Sequence, residues 1–182
     1  MTTNFRTTRP AAHEYGAYYL RYIQQIPEGH DPVQQLREQA AAVHALLGHL
    51  TDEQALLRYA PGKWSIKETL GHIIDTERVF AYRLLRIARG DQQALPGFDQ
   101  DQFTALSGAD ARPLTDILRE YDAVRAATLA LLESLPEEAF ARLGTASDMP
   151  VSVRALAYML AGHEAHHLQL WRERVMPLLQ TS

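Results

Sequence analysis

The sequence predicts an all-α protein, a bundle of four long amphipathic helices with short extra ones. Three observations carry this. The chain is rich in Ala, Leu, Arg, Glu and Gln, all good helix formers. Runs of Val, Ile and Thr with period-two alternation are absent, so no sheet is expected. Four long stretches repeat apolar residues at helical spacing, and helices with one apolar face bury it against one another. The 182 residues suit one domain over 1–182, with its core at about 10–176.

From the N-terminus, 11–27 predicts a first short helix ended by Pro27 and Gly29. A second helix lies within 31–51. Asp31 is placed to cap it and Pro32 falls at its first position, where a missing N–H costs nothing. Val33, Leu36, Ala40, Val43 and Leu47 form its apolar stripe. Residues 52–63 read as a short helical turn and a loop. The best-signalled helix starts after Ser65, because Ser65 and Glu68 have capping-box spacing. It runs to about Arg89 and stops at Gly90, a glycine suited to the left-handed residue that closes a helix. Its stripe is Ile66, Leu70, Ile73, Phe80, Leu84 and Ala88. A long connection follows over 91–113, with one short helix near Gln100–Leu106. Leu114, Ile117, Leu118, Tyr121, Val124, Leu131 and Leu132 mark a helix over 114–135. Residues 136–150 connect to a last helix, from about Ser152 to Val175, that ends before Pro177.

A formal net charge of −4 and a pI of about 6.0 give no electrostatic case for nucleic acid. The absence of cysteine excludes disulfides, thiolate nucleophiles and cysteine zinc sites. The opening "MTTNFRTTRP" has no apolar h-region, and no run reaches the roughly 18 apolar residues of a membrane span. A cytoplasmic protein with neither nucleic acid nor membrane as partner is expected.

Residues 162–171, "GHEAHHLQLW", contain His163, Glu164 and His167 in the order H-E-x-x-H. On a helix this is the zinc-protease signature, in which two histidines hold the metal and the glutamate is general base. His163 and His167 share a helical face and continue the stripe of Leu156, Leu160, Leu170 and Trp171, so they point into the bundle. Buried imidazoles need partners for their nitrogens. A metal supplies them, and so do ordinary hydrogen bonds among core or interface histidines; spacing leaves both open. His166, at the edge of the stripe, is a substitute ligand for His167, a hydrogen-bonding neighbour behind it, or a solvated side chain.

The protease reading itself fails. The extended pattern asks for glycine at 170 and histidine at 173, and the chain has Leu170 and Glu173. Glu173 is also the last acid, on the same helix, and no sheet is expected to hold a peptide. A third ligand must come from His13, His30, His44, His49 or His72. His72 stands out, one turn after Glu68 and one turn before Asp75. Its own helix argues against it: at about 100° per residue, His72 falls about 140° from the centre of the apolar stripe. Pattern alone leaves it exposed, unless the helix is buried on two sides, as at a dimer interface.

The stretch "YAPGKWSIKETLGHIIDTERVFAYRLLRIARGD" (59–91) contains W-S-x-K-E-x-x-x-H-x-x-D-x-E-R. Followed by "LPGFDQDQF" (95–103) and "GHEAHH" (162–167), it resembles the DinB superfamily, in its DinB_2 or YfiT-like branch. The resemblance covers about residues 10–176, and the combination is more specific than either piece alone. It implies a four-helix bundle with one long crossover, for which 91–113 is the fitting connection, and a homodimer. It also implies a divalent metal on three histidines, one from the second long helix and two from the last. By motif these are His72, His163 and His167. The superfamily name refers to induction by DNA damage and not to DNA binding.

Three neutral imidazoles leave coordination positions open, as catalytic sites do, whereas structural zinc sites are closed by four protein ligands. The imidazole set suits zinc, nickel, iron or copper, with geometry choosing among them; the divalent ion expected is zinc or nickel first, then iron or manganese. An open site of this kind activates water or a low-molecular-weight thiol. The resemblance therefore implies a metal-dependent enzyme with a small-molecule substrate, of the hydrolase or thiol S-transferase class. The other reading is a non-catalytic metal-binding or stress-associated helical dimer. Glu164 and Asp75 are the candidates for a base or for orienting a ligand imidazole, and each reads equally as a salt-bridged or solvated acid. Trp64 and Tyr59 wall a cavity or pack at the helix start. Arg83 and Arg125 pair with a substrate carboxylate or face solvent.

Overall fold

Long helices form where the sequence places caps and apolar stripes. The computed structural model describes residues 4–179; the ends of the expected domain, residues 1–3 and 180–182, lie outside the described residues. The 11–27 stretch contains the expected short helix. Two 3₁₀ turns, Ala12–Glu14 and Ala17–Tyr19, flank the extended backbone of Gly16 and lead into a single turn, α1 (Leu20–Ile23). In α2 (Pro32–Leu47) the Asp31 side chain accepts the Val33 N–H at 2.9 Å, and Pro32 starts the helix. In α3 (Ile66–Ala88) the capping box closes in both directions, Ser65 Oγ from the Glu68 N–H and Glu68 Oε2 from the Ser65 N–H, each at 2.9 Å. Gly90 then takes φ 85°, the left-handed backbone that ends the helix. The short helix α4 (Gln100–Leu106), α5 (Leu114–Glu133) and α6 (Val153–Leu170) follow as expected.

The four long helices make the bundle, with α2 and α3 across one diagonal and α5 and α6 across the other. Polar contacts give the directions. Lys67 donates to the Arg112 carbonyl at 2.7 Å and Arg78 to Glu120 at 2.5 Å, so α3 and α5 run parallel. Arg37 pairs with Glu133 and His44 with Asp122, so α2 and α5 run antiparallel. Adjacent parallel helices need a connection that returns the length of the bundle. Residues 89–113 are that crossover.

The core has two apolar clusters, one around Ile23, Leu36, Phe80, Leu84 and Leu156, the other around Leu47, Leu70, Ile117 and Trp171. Between them lies a buried polar layer of Gln39, His72, Glu77, Arg125, His163, Glu164 and His167.

Three expectations are corrected. First, the chain has a sheet: β1 (Leu143–Ala146) pairs antiparallel with β2 (Met149–Ser152). Ser147 and Asp148 join them with φ of 53° and 60°, the two left-handed residues that match the twist of a two-residue hairpin loop. Leu95 of the crossover adds to the edge, donating to the Thr145 carbonyl and accepting from the Ser147 N–H, both at 2.9 Å. Second, the last helix does not stop before Pro177. Trp171–Val175 widen into a π turn and the helix continues as α7 (Met176–Leu179). The π turn has already shifted the bonding register where the proline N–H is missing. Third, His72 is buried, at 4% exposure. The crossover, through α4 and the 3₁₀ turn Ala109–Ala111, covers the polar side of α3 within the chain. No helix of the described residues is long and apolar enough to cross a membrane.

Candidate metal centre

α3 and α6 cross the polar layer side by side and bring three imidazoles together. His72 Nε2 lies 2.9 Å from His163 Nε2, and His163 Nε2 lies 3.1 Å from His167 Nε2. Their exposures are 4%, 6% and 9%. Among the described residues these three form the group whose donor atoms converge closely enough to share an ion. The fit to a metal rests on this donor set. A tetrahedral ion with bonds of about 2.0–2.1 Å to nitrogen holds its nitrogens about 3.3 Å apart, so the two His163 separations need to open by only a few tenths of an ångström. His167 Nδ1 is buried without a partner.

Burial also sets the protonation state. It lowers the pKa of His72 to about 4. It lowers His163 and His167 well below the ordinary value, and the neighbouring histidines push the same way. All three are neutral at pH 7, the form that binds metal.

Other expected site residues divide. Trp64 stands against His72, ring centroids 4.7 Å apart, and with Tyr59 it walls a cleft of about 560 Å³ that reaches His167 past Thr69, Lys63 and Asp101. His166 packs edge-on to His167 and Tyr22 and stays outside the converging set. Glu164, although next to His163, points to the other side of α6. It accepts from Tyr121 Oη at 2.5 Å and from Arg125. Arg125 also grips Glu77 at 2.8 Å and the Leu36 carbonyl at 2.6 Å. Burial pushes the Glu164 carboxyl up against the pull of Arg125. Asp75 faces Arg78 at 3.7 Å and bonds no imidazole. Neither of these two acids reaches the cluster.

Sequence reasoning passed over Tyr22, whose ring lies 5.3 Å from His163, and Thr76, one turn beyond His72. The i, i+4 spacing from His72 was a usable signal for Thr76. Nothing in the sequence pointed to Tyr22.

The DinB superfamily model matches residues 35–170, which includes both long motifs and all three histidines. The chain belongs to the DinB superfamily. Among its relatives there, a protein of Geobacillus thermodenitrificans is 26% identical over 136 residues, 72% of this chain and 75% of its own length. Another from Oceanobacillus iheyensis is 25% identical, covering 79% of this chain and 83% of its own. Both carry the name "Putative metal-dependent hydrolase". In structure the chain is similar to YfiT from Bacillus subtilis, with a TM-score of 0.73, 15% identity and 98% of each chain covered. YfiT is described as a probable metal-dependent hydrolase with an unusual four-helix bundle topology. At that identity the likeness speaks for the fold alone.

Proposed function

We propose that the protein is a metal-dependent hydrolase of small molecules, holding one divalent ion, zinc or nickel, on His72, His163 and His167. The observation that carries this is the convergence of three neutral, buried imidazoles, one of which, His167, lines an open cleft. An ion held by three imidazoles lowers the pKa of a bound water toward neutrality and polarises a carbonyl oxygen. The chain supplies the rest. His72 and the α6 pair present their Nε2 atoms, Trp64 closes one side, and the cleft past Tyr59 and Lys63 admits substrate. Glu164 is tied to Arg125 and Tyr121, so proton transfer does not fall to it. Asp101 is the carboxylate in the cleft lining. The hydrolase reading follows the names of the relatives; a thiolate from a small thiol fits the same open position.

The test is metal analysis of untagged protein beside the triple variant His72→Ala/His163→Ala/His167→Ala. About one ion per chain, lost in the variant, is the expected result for a mononuclear three-histidine site. Full metal content in the variant, or none in either protein after incubation with zinc, nickel and manganese, sinks the reading. Ester and amide panels, with and without a small thiol, then separate hydrolase from transferase, and chelation should abolish the turnover.

A further inference from the structure

Arg83 and Arg125 are equally buried, at 2% and 3% exposure, and differently paired. Arg125 holds two carboxylates. Arg83 makes no ion pair among the described residues. It donates to the Pro96 carbonyl at 2.7 Å and to Ser147 Oγ at 3.0 Å, and it stacks on Phe80 and Phe98 at 5.5 and 5.9 Å. A buried charge ordinarily has a counter-ion. Burial accordingly draws the Arg83 pKa below its usual value.

A second cleft, of about 230 Å³, is lined by three of this arginine's contacts, Ser147, Phe80 and Phe98, and reaches His163. Its walls include His163, Thr76, Tyr19, Phe80, Phe98 and Ser147. Thr76 Oγ1 is buried there without a partner, in a residue 4% exposed. Ser147 Oγ accepts from Arg83, which leaves its own proton free for a guest. The hairpin loop fixes Ser147 in place at φ 53°.

We infer that this cleft is an acid-binding arm of the metal site, taking a small molecule with a ring-sized apolar body and a carboxylate. Ser147, backed by Arg83, receives the carboxylate. Tyr19, Phe80 and Phe98 receive the body, and Thr76 is placed to hydrogen-bond a polar atom near the reacting end at His163. Size supports the assignment, since an apolar cavity of about 150 Å³ already accepts benzene. Charge supports it too. No acidic residue lines the cleft, and cations already occupy the ring faces: Arg21 lies 4.0 Å from the Tyr18 centroid and 4.8 Å from that of Tyr22. A cationic guest would be repelled, and an anionic one supplies what Arg83 lacks. Geometry gives the order along α3. Thr76 is one turn past His72, Phe80 two turns and Arg83 about three, with side chains leaning back toward the helix start. The inference rests on the metal reading only in placing the reacting bond at His163; the carboxylate subsite does not itself need the ion.

Benzoate and its neutral counterpart benzyl alcohol are the probes, titrated calorimetrically into protein stripped of metal and into zinc-loaded protein. Benzoate should bind both forms, and more tightly than benzyl alcohol. Arg83→Met should weaken benzoate at least about tenfold, the scale of a charge-assisted contact, and change benzyl alcohol less than about twofold. It removes an unpaired charge, so its melting temperature should hold or rise. Ser147→Gly, which suits the left-handed backbone, gives an independent reading and should weaken benzoate several-fold. Equal affinity for the two probes, no benzoate binding to either form, or wild-type benzoate affinity in folded Arg83→Met overturns the inference. Binding that needs zinc and ignores Arg83 and Ser147 means that the ion holds the carboxylate; the hydrolase reading then stands and the subsite falls. Binding that depends on Arg83 in a protein that takes up no metal has the opposite meaning.

Discussion

Each imidazole of the cluster is a base whose pKa burial has lowered, and this makes a prediction about acid. Below about pH 6.5 the unfolded chain binds protons that the folded, metal-free protein refuses. Stability is therefore full above that pH and falls as pH drops toward the folded pKa, about 4 for His72. Between pH 7.5 and 5 the share of His72 alone is about 2 kcal/mol. Urea unfolding of the stripped protein at pH 7.5 and pH 5 should show the fall, and His72→Gln should show a smaller one. Equal falls in the two proteins would mean that His72 is not held neutral by burial. At this scale the sequence was informative about identity and poor about pairing. His163 and His167 were placed inward by their stripe. Arg83 and Arg125 looked alike, and only the fold puts Glu77 and Glu164 beside one and no carboxylate beside the other.

The helices were legible where the signal is local. Asp31, Ser65, Glu68 and Gly90 cap as their spacing predicts, because caps depend on a few neighbouring residues. Periodicity misplaced His72 because an apolar stripe registers one buried face, and the crossover buries a second, polar face. The hairpin was invisible for a different reason. Its strands are four residues each, one contains Pro150, and its loop is Ser147-Asp148 in place of a glycine-bearing pair. Close approach of α6 to α1 was equally hidden. A Cβ on Gly162 would sit 1.9 Å from the Tyr22 carbonyl oxygen, whereas one on Gly71 would meet Ala109 Cβ at 3.5 Å, an ordinary contact. Gly162→Ala should therefore cost about 3 kcal/mol, as overpacking against backbone does, and disturb the Tyr22 wall beside His163. Gly71→Ala should be neutral or stabilising by up to about 1 kcal/mol, since alanine favours helix. Denaturant midpoints of the two variants decide it, and the reverse order would contradict the packing described.

For the whole molecule, the polar layer lies between two apolar clusters and joins helices that are distant in sequence. Gln39 of α2 donates to the Ala161 carbonyl of α6 at 2.7 Å, and Arg125 of α5 reaches α2, α3 and α6. The histidines draw on the same layer, so an ion bound there stabilises the fold and not a loop. Zinc at about a hundredfold above its dissociation constant adds about 2.7 kcal/mol. For a chain of this size that is a rise of about 5–10 °C in melting temperature. The triple histidine variant should show no rise. A variant that gains as much as wild type would place the zinc elsewhere.

The tryptophan beside His72 gives the centre an optical reporter. The chain has two tryptophans, and their surroundings differ. Trp171 is sealed in the apolar core at 1% exposure, and Trp64 has its ring 4.7 Å from the His72 ring. A quenching ion such as copper(II) seated on the imidazoles darkens Trp64, and the signal that remains in Trp64→Phe gives the share of Trp171, one turn past His167. Occupancy can thus be followed by fluorescence in the unlabelled protein, with Trp64→Phe as the blank.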